Sequence, residues 1–169
     1  STVWSNNAAL CVRDYIENDT YGVGEKNANI DNDLVSTAAN VCEYYNYPTL
    51  SGDYRYTCNG SFTTSNAPYD VLGDLITSMG GMVWYSQGKW RMKPAYWTDP
   101  VLALNEDDLR SSISLQTRHS RRDNFNVVKG IFRGEETNWQ FTDYPQVTNS
   151  SFVAIDGGQE SVVDFDLPF

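Results

Sequence analysis

SNAPYDVLGDLITSMGGMVWYSQGKWRMKP, residues 65–94, decides how the rest of the chain is read. Pro68 suits the first turn of a helix, where its missing N–H is not needed, and Asn66 is the candidate cap. Val71, Leu72, Leu75, Ile76 and Met79 recur at helical spacing, so this helix buries one face. Gly80-Gly81 ends it, because glycine enters the left-handed region without a Cβ penalty. MVWYSQGKWRMKP then reads as a β-hairpin turning at Gln87-Gly88. A helix running straight into a hairpin predicts a mixed lobe with Val71, Leu72, Leu75, Ile76, Met79, Val83, Trp84 and Trp90 in its core.

Upstream, a helix is expected near 6–17, capped by Ser5 or Asn6, with Ala8, Val12, Tyr15 and Ile16 at helical spacing. NDTYGVGEKN breaks it. Its GVG is no dinucleotide fingerprint, since no strand precedes it and no third glycine comes after. Asp31 caps a second helix in which Leu34, Ala38, Cys42 and Tyr45 share a face, and Pro48 bars its continuation. RYTCNGSFTT, 55–64, reads as extended chain with a turn or bulge at Asn59-Gly60.

After Pro94 the texture changes. NEDDL, 105–109, is a polar turn or a single helical turn. SISLQTRH, NFNVVKGIF, NWQFTDYP and SVVDFDLP read as strands, with turns at Gly134 and Gly157-Gly158. The expected fold class is α+β: helices and a β-hairpin in an N-terminal lobe, 1–104, followed by a mostly antiparallel β lobe, 105–169. DFDLPF looks like a strand cut before its partner, so the second lobe is expected to be completed by chain outside this stretch.

The 169 residues include eleven tyrosines and five tryptophans, enough large apolar groups to offset the entropy of ordering. No apolar run approaches the ~20 residues that cross a bilayer. STVW carries no initiator Met, basic n-region or apolar h-region, and the chain is read as an excerpt of a longer one. Cys11, Cys42 and Cys58 are odd in number and form no CxxC pair, so buried free thiols are expected, as in a protein made in a reducing cytosol. Sequons at Asn18, Asn59 and Asn149 would matter only in a eukaryotic secreted protein, which nothing else suggests.

Recognised chemistries find little purchase. His119 is the sole histidine, and Ser120 beside it on a strand would face the other way, so a catalytic triad lacks its base. The thiols lack zinc-finger spacing. IDND, 30–33, misses the glycine and terminal glutamate of an EF-hand, and helix capping explains Asp31 and Asp33 more simply; EDD, 106–108, is the other acidic cluster that could hold a hard cation. Paired carboxylates for glycoside hydrolysis are defined in space, and many Asp and Glu would serve. Trp84 and Trp90 could stack on a sugar, but cross-strand packing is the default on a hairpin. No cofactor, metal or catalytic residue is assigned.

Charge is distributed unevenly around a net of -10. Residues 1–88 hold three basic and ten acidic side chains, 89–133 nine and five, and 134–169 none and seven. The basic excess centres on RHSRRDNFNVVKG, 118–130. Single-stranded nucleic-acid grooves need cations and aromatics on one surface, and here the cations split between strand faces. Arginine suits bidentate carboxylate pairing at protein contacts, and the acidic tail from Glu135 onward offers partners. Arg118, His119, Arg121, Arg122 and Lys129 are therefore the candidate interface residues, without stable nucleic-acid binding.

An ordered series of segments resembles one family. NAALCVRDYIENDTYGVG, 7–24, is similar to the N-P-A-x-x-x-x-D-Y-L…x-Y-G-x-G stretch of the tail-tip attachment, or host-specificity, proteins of lambda-like siphophages and prophages. The likeness continues through IDNDLVSTAANVCEYY, RYTCNGSFTTSNAPYDVLGDLITSMGGMVWYSQGKWRMKPAYW, LNEDDL, RRDNFNVVKGIF, WQFTDYPQV and IDGG. Ala8 stands where the family often has Pro. The resemblance implies the hub region of a tail tip: a homotrimer closing the distal end of the tail tube, related in architecture to the baseplate hub of contractile tails. It would join the tube to other tail proteins and receptor-binding parts, support host attachment and let DNA pass. It further implies a virion component made in the bacterial host cytoplasm, with no enzymatic activity. Receptor contact would lie in parts absent here, and any cation facing the lumen would touch DNA only transiently. The alternative is a non-catalytic carbohydrate- or cell-surface-binding module.

Overall fold

Asn7, buried in the N-terminal part of the protein, ties two helices together. Its side-chain oxygen accepts hydrogen bonds from the Ala9 and Leu10 N–H groups at 3.1 and 3.3 Å, capping helix α1 (Ala8–Glu17). Its amide nitrogen donates to the Ala39 carbonyl at 3.0 Å in helix α2 (Asn32–Glu43). The cap is thus neither Ser5 nor Asn6: Asn7 has a second partner to bind, and a backbone bridge to Thr57 holds it in place. The structure, a computed structural model, describes residues 4–44, 54–117, 120 and 123–167.

The fold class is α+β. After α1 and α2 come helix α3 (Pro68–Ser78) and the hairpin of β1 (Met82–Ser86) and β2 (Lys89–Lys93). Short strands come next: β3 (Val127–Lys129), β4 (Ile131–Arg133), β5 (Phe141–Asp143) and β6 (Val147–Thr148). Helix α4 (Ser150–Ile155) and strand β7 (Val162–Asp164) complete the order. The chain divides into two units. One comprises Ser1–Tyr96, Ile131–Asp143 and Asp166–Phe169, and the other Trp97–Gly130 and Tyr144–Phe165.

In the first unit α1 packs against α2 and α3, and α2 packs against β2. Val12 and Ile16 of α1, Val35, Ala38 and Cys42 of α2, Val71, Leu75 and Met79 of α3, and Met92 of β2 form the core with Ile30. Each large aliphatic side chain buried there contributes about 1.5–3 kcal/mol. Leu72, Ile76, Val83 and Trp90 are half-buried against this cluster. Trp84, expected inside, is exposed, while its neighbour on β1, Val83, is the one packed against the core. The α3 cap is also displaced. Ala67, not Asn66, holds the N-cap position and provides no side-chain bond; the Asn66 side chain instead accepts from the Thr63 hydroxyl.

The hairpin turn lies at Gln87-Gly88, both at positive φ (53° and 77°), as a two-residue turn matching strand twist requires. The GVG segment has a folding role. A Cβ on Gly22 would lie 1.9 Å from the Tyr15 carbonyl oxygen, the oxygen that accepts the Val23 N–H at 2.9 Å. The glycine lets the chain turn back over the end of α1.

The second unit is built on the three-stranded order β6-β3-β7. β3 pairs antiparallel with β6 and parallel with β7, Val127 facing Thr148 and Val162. In the first unit, β4 and β5 form a separate antiparallel pair. NFNVVKGIF is therefore two strands broken at Gly130, where the Phe165 carbonyl approaches too closely for any side chain. No strand forms in the described part of SISLQTRH; residues 112–117 are exposed and belong to no strand. Helix α4 is not predicted by the sequence pattern. Its six residues are too short for a periodic signal, and Asn149, which caps it through the Ser151 and Phe152 N–H groups, is the one cue.

Candidate interaction surfaces

Of the expected interface residues, Arg118, His119, Arg121 and Arg122 lie outside the described residues. Lys129 is at the end of β3, half exposed, with its Nζ 3.6 Å from Asp164 Oδ1 on the adjacent parallel strand β7. This cation meets the acidic tail inside its own unit. An exposed pair of this kind adds little stability.

Asp31 is committed to structure. Its carboxylate accepts from the Leu34 N–H at the start of α2 and from Arg91 Nε at 3.1 Å. Arg91 also donates to Ser86 and Gln87 across the hairpin turn. In EDD, Asp108 and Asn105 form a capping box around one 3-10 turn, Glu106–Asp108. No group of three or more His, Cys, Asp or Glu able to hold a metal occurs among the described residues.

Among the described residues, the second unit presents much exposed apolar surface. Val127 is the one buried apolar side chain in it among the described residues. Every side chain over 97–117 is exposed, including Trp97, Val101, Leu102, Leu104, Leu109, Ile113 and Leu115. Phe152 and Ile155 of α4 and Phe125 before β3 are exposed too, around a shallow hollow closed by Asp123, Asn124 and Asp156. Such density of bare apolar groups is more than scattered surface residues usually give. What orders this unit is a polar clasp. Asn126, 5% exposed, donates to Asp156 at 2.8 Å and to the Gln159 carbonyl at 3.0 Å, and accepts from the Ser161 N–H at 2.9 Å. Sequence periodicity could not reveal it, because asparagine carries no apolar signal.

The first unit carries two grooves. One, of about 750 Å³, is lined by Trp4, Leu10, Cys11, Tyr15, Cys58 and Phe62 among others. Tyr15 meets Phe62 edge-on with centroids 5.3 Å apart. The other, of about 370 Å³, lies between Trp4 and Trp139, with Asn59 and Arg133 as its polar groups. Arg133 is held 4.0 Å over the Phe141 ring and donates to the Trp139 carbonyl at 3.2 Å. The thiols differ from expectation: Cys42 is buried, but Cys11 and Cys58 are half-buried and line the larger groove.

No known protein-family profile matches the chain. Among the described residues, no helix is long and apolar enough to cross a membrane.

Proposed function

We propose that this chain is a non-catalytic interaction module, the hub region of a siphophage or prophage tail-tip protein. The observation that carries the interaction reading is the second unit's bare apolar surface, with one buried apolar residue, Val127, among those described. A surface of that composition is stable when other protein covers it. The tail-tip assignment rests on the resemblance of the ordered segments from NAALCVRDYIENDTYGVG to IDGG. In that setting the covering surface is a neighbouring protomer of a homotrimer or another tail protein, and the working location is the virion tail tip. The exposed carboxylates of the tail, Asp164 among them, suit cations such as Lys129 within and between protomers.

The test is the light-scattering mass of the full-length protein carrying this chain, alongside immunogold labelling of virions with an antibody against residues 1–169. A three-protomer mass and gold at the tail tip support the reading. A monomeric mass, or labelling elsewhere on the particle, overturns it. Turnover of a cell-wall polymer by this chain, abolished by one carboxylate substitution, would also sink it.

One observation favours the second reading, a carbohydrate- or cell-surface-binding module. The groove between Trp4 and Trp139 combines aromatic faces with Asn59 and Arg133 as polar partners, the composition a sugar ring needs. A glycan screen that finds one defined ligand, lost on Trp139→Ala, selects it.

A further inference from the structure

Cys58 and Cys11 are brought together by the backbone. The Cys58 N–H donates to the Asn6 carbonyl at 2.8 Å, beside the bridge between Asn7 and Thr57. Cys11 lies one helical turn on, its N–H bonded to the Asn7 carbonyl at 3.0 Å. Both side chains open onto the larger groove of the first unit, where the Cys11 thiol also donates to the Ser5 carbonyl at 3.7 Å. Cys42, fully buried in α2, does not line it.

The two thiols are unlike. The neighbouring Cys11 pulls the Cys58 thiol below its ordinary value, against the opposing effect of burial. The neighbouring Cys58, then burial, pushes Cys11 upward. Cys58 is thus the more acidic thiol of the two, and the thiolate is the reactive form.

We propose that Cys58 and Cys11 form a dithiol site that exchanges with low-mass disulfides and closes to a Cys11–Cys58 disulfide. The Cys58 thiolate attacks one sulfur of the small disulfide. That S–S bond breaks, a mixed disulfide forms on Cys58, and the first small thiolate leaves and takes a proton from water. Cys11 then gives its proton to water, and its sulfur attacks the Cys58 sulfur. The second small thiolate leaves and is protonated in turn. Two electrons pass from the protein dithiol to the small disulfide, so one protein disulfide and two small thiols result. The new bond staples α1 to the segment around Thr57.

The test exposes the reduced chain to oxidised glutathione under native conditions, blocks residual thiols and maps non-reduced peptides by mass. A Cys11–Cys58 peptide is expected, with Cys42 blocked only after unfolding. The oxidised chain should melt roughly 5–15 °C higher than the reduced one, because the cross-link restricts the unfolded state. Cys11→Ser should stop at one glutathione on Cys58, and Cys58→Ser should take up none in the same time. Cys42→Ser should leave the cross-link intact. A link through Cys42, or three free thiols in oxidant-treated chain that retains its native circular dichroism, overturns the site. The peptide map of the unsubstituted chain decides the matter even where a variant fails to fold.

Discussion

Asp31 and Arg91, sixty residues apart in sequence, are joined by a 3.1 Å ion pair that ties the start of α2 to strand β2. The same carboxylate caps α2, and the Asp31 N–H donates to the Trp90 carbonyl at 3.0 Å. The aspartate therefore has two separable roles. Asp31→Asn keeps a good cap and loses the charge pair, so it should cost about 0.5–1.5 kcal/mol. Asp31→Ala loses both and strands a half-buried guanidinium, so about 2–3 kcal/mol is expected. Urea unfolding of the two variants checks the order; no loss in Asp31→Asn would mean that the ion pair contributes nothing, and equal losses that the cap contributes nothing.

Two glycines should respond differently to alanine, for different physical reasons. At Gly22 the new Cβ would fall 1.9 Å from a backbone oxygen, so the end of α1 must move; a loss of about 2–4 kcal/mol is expected. At Gly88 nothing lies within 4 Å and the strain comes only from φ of 77°. That substitution should cost about 1–2 kcal/mol. Thermal melts of the pair measure the difference.

Asn126 should be the most sensitive position of the second unit. Asn126→Ala leaves the Ser161 N–H and the Gln159 carbonyl without their side-chain partner, for about 2–4 kcal/mol. Asn126→Asp is isosteric but sets a second carboxylate beside Asp156, formerly 2.8 Å from the amide nitrogen. Its damage should be at least as large at neutral pH and should ease as the pH falls and one carboxyl takes up a proton. Amide exchange at Ser161 and Val162 reports both effects.

Stability should decline above about pH 9. Burial pushes the Cys42 thiol and the Tyr15 phenol above their ordinary values of 9.0 and 10.0. Over that range the unfolded chain releases these protons while the folded chain keeps them. The unfolded state then binds fewer protons, and unfolding becomes easier with each further rise in pH. The slope approaches about 1.4 kcal/mol per pH unit for each group that ionises only on unfolding. Melting points from pH 8 to 11 check the sign, and Cys42→Ala should flatten the first part of the curve.

Much of the first unit was legible because its signals are local. Val71, Leu75 and Met79 recur at helical spacing, Asp31 is a capping residue in a capping place, and Gln87-Gly88 can turn a hairpin. Periodicity states which face is apolar, but not which helix partner is near, so Leu72 and Ile76 are half-buried and Trp84 exposed. The candidate interface fared otherwise: the basic cluster was visible as composition, yet of its five members only Lys129 falls among the described residues.

The order of residues alone determined the α+β class, the three long helices and the hairpin, since each arises from contacts within a few turns or a single reversal of chain. Tertiary structure alone decided the meeting of Cys11 and Cys58 at one groove, the parallel pairing of β3 with β7 and the clasp of Asn126. The reason is physical. These depend on groups thirty or more residues apart, and no local preference encodes where a distant segment comes to rest.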